Sequence, residues 1–207
     1  MKLYYHPGAC SLSPHIVLRE AGLDVELERV DLATGKIVAS GESFRTVNAK
    51  GYVPALALDS GEVLTEGAAL VQYLADTHPD AALAPAAGTL ERARINEWLT
   101  FLSSELHKAF GPLFNPAASE AERQAATDKV RNRLDFIEQT LADGRPWLAG
   151  DAFSIADAYL FTLTNWTGPT KVGLDGYTHL PAFMARMQQR PAVQAALEAE
   201  GLLEAVD

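Results

Sequence analysis

Cysteine is all but missing: Cys10 is the one cysteine among 207 residues. An internal disulfide is therefore excluded, and a lone thiol keeps its chemistry in a reducing compartment, so the sequence predicts a cytoplasmic protein. Positive charge is short as well. With 17 Lys and Arg against 27 Asp and Glu the formal net charge is −10, which argues against nucleic acid or an anionic membrane as the main partner. No apolar run approaches the length of a bilayer span, and the N-terminus carries no signal-peptide core. The histidines show no metal-ligand spacing, no glycine-rich loop is placed to cradle a nucleotide, and there is no internal repeat. What is present is ordinary globular material: 48% hydrophobic and 21% charged residues, in a chain long enough for two domains that each bury a core.

The stretch Tyr4-Tyr5-His6-Pro7-Gly8-Ala9-Cys10-Ser11-Leu12-Ser13-Pro14-His15 organises the rest. It begins as a strand, breaks at Pro7-Gly8 and restarts as an amphipathic helix over Ser11–Ala21, with Pro14 in the first turn and Gly22 closing the end. Cys10 then stands at the helix N-terminus. Unpaired amides and the positive end of the helix dipole there favour an anion and lower a thiol pKa. Such a thiol is either a nucleophile or a cradle for another thiolate. A third reading is a small buried cysteine.

Met1–Tyr5, the helix and the strand-forming Val25–Val30 read as β-α-β. Asp31–Lys50 has no period and reads as an irregular connection with one short helix. Ala55–Leu58 and Glu62–Thr65 flank the turn Asp59-Ser60-Gly61, a hairpin, and Gly67–Thr77 is helical up to Pro79. This order over residues 1–80 is a thioredoxin-like α/β domain. Residues 81–88, rich in Ala, Pro and Gly, read as a linker. From 89 to 207 the pattern is all-α. Ile95, Trp98, Leu99, Leu102, Leu106, Ala109, Phe110 and Leu113 mark one apolar face of a long helix, while Thr100, Ser104 and His107 form a polar stripe on it. Ser119-x-x-Glu122 opens a second long helix, with Val130, Leu134, Ile137 and Leu141 facing the core. Ser154-x-x-Asp157 opens a helix that is apolar nearly all round, so Asp157 is read as a cap. Two shorter helices, Leu180–Gln189 and Ala192–Glu200, finish the chain.

Five motifs in this order carry a resemblance over essentially the full length: Tyr5-x-Pro7-Gly8-Ala9-Cys10-Ser11-Leu12, Val53-Pro54, Thr65-Glu66-Gly67, Glu105-Leu106-His107-Lys108 and Ser154-Ile155-Ala156-Asp157-Ala158-Tyr159. The chain resembles the cytosolic glutathione transferases, most closely the bacterial beta class. The resemblance implies glutathione as co-substrate, no metal, a small hydrophobic electrophile as second substrate, a detoxifying role and a homodimer whose sites lie near the subunit interface. It implies Cys10 and His107 as catalytic residues. Glutathione contacts fall on Tyr5, Cys10, Lys36, Val53, Glu66, Gly67, Thr100, Ser104, Glu105 and His107. The chemistry agrees with the residue types: Glu66 can accept the γ-glutamyl ammonium, Gly67 opens a helix whose free amides suit the γ-glutamyl carboxylate, and Lys36 is a partner for the glycyl carboxylate. Val53-Pro54 resembles the cis-proline corner that pairs with the cysteinyl amide. Two departures from the family pattern stand out: Thr100 replaces a common asparagine, and Ala49 a common proline.

Thiolate stabilisation alone accounts for little rate. Lowering a thiol pKa from about 8.5 to about 6.5 raises the thiolate fraction at pH 7 roughly 25-fold. The accompanying loss of nucleophilicity takes back roughly eightfold, so most of the advantage must come from holding the electrophile and the thiolate together. The expected electrophile pocket lies between Tyr5, His6 and Pro7 and the helix around Ala109–Leu113. Three functions are open: conjugation by the glutathione thiolate; a monothiol reductase or dehalogenase route through a mixed disulfide on Cys10, Ser13 standing where a Cys-x-x-Cys motif has its second thiol; and a non-enzymatic binding protein of the same fold.

Overall fold

In strand β1 (Lys2–Tyr5) Leu3 and Tyr5 are buried and Lys2 and Tyr4 less so, the two-residue alternation of a strand with unlike faces. The structure is a computed structural model that describes residues 1–203. Beyond β1 the chain turns into helix α1 (Leu12–Glu20), which Gly22 ends at φ +66°, a left-handed cap that glycine takes without steric cost. Strand β2 (Glu26–Asp31) returns parallel to β1, with Leu3 opposite Leu27. A two-residue strand, β3 (Lys36–Ile37), pairs antiparallel with β2; it falls in the segment read as irregular, because two residues are too few to show a period. The short helix expected there is a 3₁₀ turn, Phe44–Thr46.

Strands β4 (Ala55–Ala57) and β5 (Val63–Thr65) form the predicted hairpin, β4 also lying antiparallel to β1, and helix α2 (Gly67–Thr77) comes next. The five-stranded mixed sheet has the order β3-β2-β1-β4-β5. Val30, Ile37, Phe44, Val53 and Ala55 make a core cluster with Tyr4 and Ala9 packed on it, so the residue just before Cys10 is anchored in the sheet's own core.

The chain divides into two compact units, one of Met1–Ala84 joined by the segment from Gln189, the other of Pro85–Gln188. This differs from the expected helical domain over 89–207, whose last residues, 204–207, lie outside the described part. Helix α9 (Pro191–Ala199) belongs to the first unit for a physical reason. It buries Val193, Ala196 and Leu197 and packs on α1, where Arg190 meets Glu20 at 2.5 and 2.8 Å.

In the second unit Thr89 caps helix α3 (Leu90–Phe101) by accepting from the Arg92 amide. The ladder then widens: Leu102–Leu106 is a π turn, in which the His107 amide bonds to the Leu102 carbonyl, five residues back. Two short helices come after it, α4 (His107–Ala109) and α5 (Gly111–Phe114). The sequence predicts one unbroken α-helix here, and the apolar face is recovered at Ile95, Leu99, Leu102, Leu106, Ala109 and Phe110. The stripe Thr100–Ser104–His107 assumes 3.6 residues per turn throughout. One extra residue in a turn rotates the rest of the helix by roughly 100°, so His107 leaves that line.

Helix α6 (Glu120–Leu141) opens with the predicted capping box of Ser119 and Glu122. Helix α7 (Ile155–Asn165) opens with that of Ser154 and Asp157, whose Oδ1 also accepts from the Leu148 amide at 2.8 Å. Every residue of α7 from Ile155 to Thr164 is buried, and truncating one of its large side chains, Phe161→Ala for example, would cost about 3–5 kcal/mol. Helix α8 (His179–Gln188) starts where the amides of Thr178, His179 and Leu180 converge on the Glu138 carboxylate of α6.

Candidate active site

The first unit gathers a group of candidate residues around Cys10. The turn before α1 is closed by the Ala9 amide on the His6 carbonyl and tied by Ser11, whose Oγ accepts from the His6 amide at 3.2 Å and donates to the His6 carbonyl at 3.3 Å. This leaves Cys10 immediately before the N-cap Ser11 of α1, partly exposed. Its sulfur donates to the Val53 carbonyl at 3.2 Å, a bond that needs the S–H proton and so belongs to the thiol form. The Val53–Pro54 bond is cis. A Cβ added at Gly67 would stand 3.8 Å from Pro54 Cγ, so the first residue of α2 abuts the cis-proline corner. Cys10, Val53, Gly67 and Glu66 are thus brought together in one unit.

Glu66 sits at φ +71°, ψ 105°, in the left-handed half of backbone space that a residue with a side chain rarely occupies and that is found where function holds it. The Ala69 and Leu70 amides both bond to the Glu66 carbonyl at 2.9 Å, and Gly67 and Ala68 open α2 at its positive end, where an anion is favoured. The Glu66 carboxylate is engaged by two residues that the sequence pattern does not single out. Lys50 Nζ lies 2.5 Å and the Tyr52 hydroxyl 2.7 Å from Oε1, and Lys50 also reaches Thr65 Oγ1 at 2.8 Å. The hydrogen bond to Glu66 holds the Lys50 ammonium and the Tyr52 phenol above their ordinary values. The available signal was position alone: Lys50 and Tyr52 lie in the run that leads into Val53-Pro54.

Tyr5 and Lys36 lie on strands β1 and β3. Tyr5 is buried with its ring 6.4 Å from that of His15, and burial first, then the charge of Glu200, pushes its hydroxyl up. Lys36 lies exposed in β3, at the opposite edge of the sheet from β5.

The second unit gathers around His107. Its Nδ1 lies 2.8 Å from the Tyr159 hydroxyl, and its ring meets Trp166 edge-on at 4.8 Å. Trp166 in turn makes edge contacts with Phe110 at 5.5 Å and Phe114 at 5.3 Å. Phe114 is 50% exposed, so the cluster reaches solvent and presents an apolar aromatic wall beside an imidazole. Sequence reasoning gives Tyr159 to the core and does not single out Trp166; only the fold of α7 back onto α4 shows them to be His107's neighbours.

The other predicted residues of this unit turn inward on its own structure. The Thr100 hydroxyl donates to the Asn96 carbonyl at 2.8 Å, and Ser103 and Ser104 both donate to the Thr100 carbonyl, at 3.1 and 2.9 Å, where the ladder enters the π turn. Back-bonding of this kind accompanies helix distortion. Glu105 is paired with Arg133 of α6, at 2.9 and 3.2 Å. Among the described residues no group of three or more His, Cys, Asp or Glu is placed to hold a metal ion, and no helix is long and apolar enough to cross a membrane.

Comparison with known proteins bears on both units. Family models described as glutathione S-transferase N-terminal domain and C-terminal domain match residues 8–77 and 101–191. The chain is 47% identical over 202 residues to glutathione S-transferase GstA of Escherichia coli O157:H7, covering 98% of this chain and 100% of that protein. It is 51% identical, with a TM-score of 0.94, to a bacterial beta class glutathione S-transferase of Sphingomonas chungbukensis, over 98% and 100% of the two chains. A sphingomonad glutathione S-transferase complexed with glutathione is 52% identical, with a TM-score of 0.93, again over 98% and 100%.

Proposed function

The chain belongs to the glutathione S-transferase family, and within it to the bacterial beta class, and we propose that it joins the glutathione thiolate to a small hydrophobic electrophile. The observation that carries this reading is the continuous run in the first unit from the Cys10 thiol through Val53 and cis-Pro54 to Gly67 and Glu66. A thiol tripeptide needs such a row of receptors. Glu66 takes the γ-glutamyl ammonium, as it already takes that of Lys50. The first amides of α2 take the adjoining carboxylate, the Val53 backbone takes the cysteinyl amide, and Lys36 takes the glycyl carboxylate. The Cys10 proton that reaches the Val53 carbonyl is then available to the glutathione sulfur, stabilising it as thiolate. The electrophile is received on the aromatic wall of Phe110, Phe114 and Trp166, with His107 held by Tyr159.

A second reading has Cys10 itself attack a glutathione disulfide, forming a mixed disulfide and expelling glutathione thiolate. The partial exposure of this single thiol at the start of α1 favours it, and a reducing, cytoplasmic setting suits both routes. The test is conjugation of an activated aryl halide measured beside reduction of a mixed disulfide, with serum albumin as the binding-only control. Turnover of the aryl halide above the control supports the first reading. Its absence, with disulfide reduction intact, replaces it by the second.

A second copy of the chain is the proposed macromolecular partner. Trp98, Phe101 and Phe136 cluster on α3 and α6 in edge-on and tilted contacts at 5.4–5.9 Å between centroids, and Phe136 is 51% exposed. An aromatic group that large is enriched at interfaces.

A further inference from the structure

We propose that Glu200, near the far end of the chain, is a positioning residue for the Cys10 thiol. Glu200 is the C-cap of α9, and its side chain is wholly buried. Both features are unfavourable taken alone, since a helix C-terminus carries negative partial charge and a buried carboxylate loses its hydration. Two hydrogen bonds offset them. Oε1 lies 2.8 Å from His15 Nδ1, and Oε2 accepts the Gly8 amide at 2.9 Å, across 192 positions of sequence. Arg19 Nε, which can only donate, meets His15 Nε2 at 3.4 Å. Nε2 is therefore the acceptor, and Nδ1 carries the proton given to Glu200. One carboxylate thus ties α1 and Gly8 together from a third element.

Gly8 stands two residues before Cys10, in the turn closed by the Ala9 amide on the His6 carbonyl. It holds φ +70°, and the Leu202 side chain lies 3.6 Å from where a Cβ would be. The C-terminal segment accordingly grips this turn with one hydrogen bond and one apolar contact. Gly8 being fixed, the sulfur two residues on is held at the Val53 carbonyl. Releasing Gly8 frees the thiol to leave that place, and a misplacement of about 1 Å is enough to cost up to a hundredfold in rate.

The inference rests on Cys10 standing at the reacting sulfur. Glu200→Gln keeps the size of the side chain but turns one acceptor into a donor facing another donor. The control is Arg190→Ala, which removes the ion pair with Glu20 at the other end of α9. In full-length E200Q, well below its melting temperature, kcat for conjugation should fall about tenfold with KM for glutathione within about twofold. Iodoacetamide should alkylate Cys10 about fivefold faster without glutathione, while R190A melts lower and changes neither. Faster alkylation with unchanged kcat keeps Glu200's hold on the thiol and removes the reading of Cys10 instead. If E200Q melts lower yet keeps both kcat and alkylation rate, Glu200 only anchors α9 and the inference is overturned. Should E200Q not fold, Glu200→Asp, its carboxylate drawn back by one methylene and unable to reach both partners, is judged by the same outcomes.

Discussion

His107 Nδ1 and the Tyr159 hydroxyl stand 2.8 Å apart, joining the first residue after the π turn to the most deeply buried helix of its unit. The π turn sets the direction of the imidazole, and Tyr159, itself buried, fixes its rotation. Tyr159→Phe keeps the ring and removes only the hydroxyl. It should lower kcat for conjugation about fivefold to tenfold, leave KM for glutathione unchanged, and cost about 1 kcal/mol of stability. Steady-state kinetics and a thermal melt check both parts; an unchanged kcat would reduce His107 to a packing residue.

Glu66→Gln should weaken glutathione binding by about 1.5–3 kcal/mol, the worth of a hydrogen bond to a charged group. The lost partner is an ammonium remote from the sulfur, so kcat should move less than about threefold. Calorimetric titration beside saturation kinetics separates the two. Retained affinity with lost turnover contradicts the assignment.

Cys10→Ala removes the sulfur and leaves the α1 N-terminus, Glu66 and Gly67 in place. Conjugation should fall by about ten- to a hundredfold, or 1.4–2.7 kcal/mol of transition-state stabilisation, yet persist. Thiol transfer should vanish, because the chain has no second cysteine. Mass spectrometry of the wild type after oxidised glutathione should show a single adduct on Cys10. Full conjugation in the mutant with no adduct on the wild type makes Cys10 an inert buried cysteine.

Stability in acid should report on Glu138. Burial pushes its carboxyl up, but the amides of His179, Thr178 and Leu180 together outweigh this and hold it below its ordinary value. A depressed carboxyl pKa adds stability that is present above the unfolded value of about 4.3 and is lost as pH falls through the folded one. Glu138→Gln should therefore melt below wild type at pH 7, by about 1 kcal/mol for a helix N-terminus losing its carboxylate. The gap should close between about pH 5 and pH 3. Melting curves across this range decide it; a gap that persists at pH 3 would trace to packing.

Light scattering at micromolar concentration should give twice the chain mass of 22.3 kDa. Phe136→Glu should shift the protein toward the monomer by placing a charge in the aromatic group. A wild type at the monomer mass rejects the homodimer.

Local rules were legible in the sequence because the residues that enforce them lie close together in it. The capping boxes at Ser119 and Ser154, the Gly22 stop, the β4–β5 hairpin and the start of α2 at Gly67 each depend on groups within about four residues of one another. The order of these elements determined the mixed sheet and the helical unit, and the five motifs determined the family. Tertiary structure decided whatever depends on encounters between distant segments. Lys50 and Tyr52 share Glu66 Oε1, 16 and 14 residues away; Tyr159 meets His107 across 52 residues; Glu200 reaches Gly8 across 192. Composition and periodicity carry no record of such pairings. The π turn was hidden for a different reason: its apolar residues keep spacings that fit an ordinary helix, and one widened turn is enough to swing His107 out of line with Thr100 and Ser104. Helix α9 returned to the first unit because its apolar face and Glu200 find partners on α1 and at Gly8, and a buried carboxylate is stable only where its donors are, whatever its place in the chain.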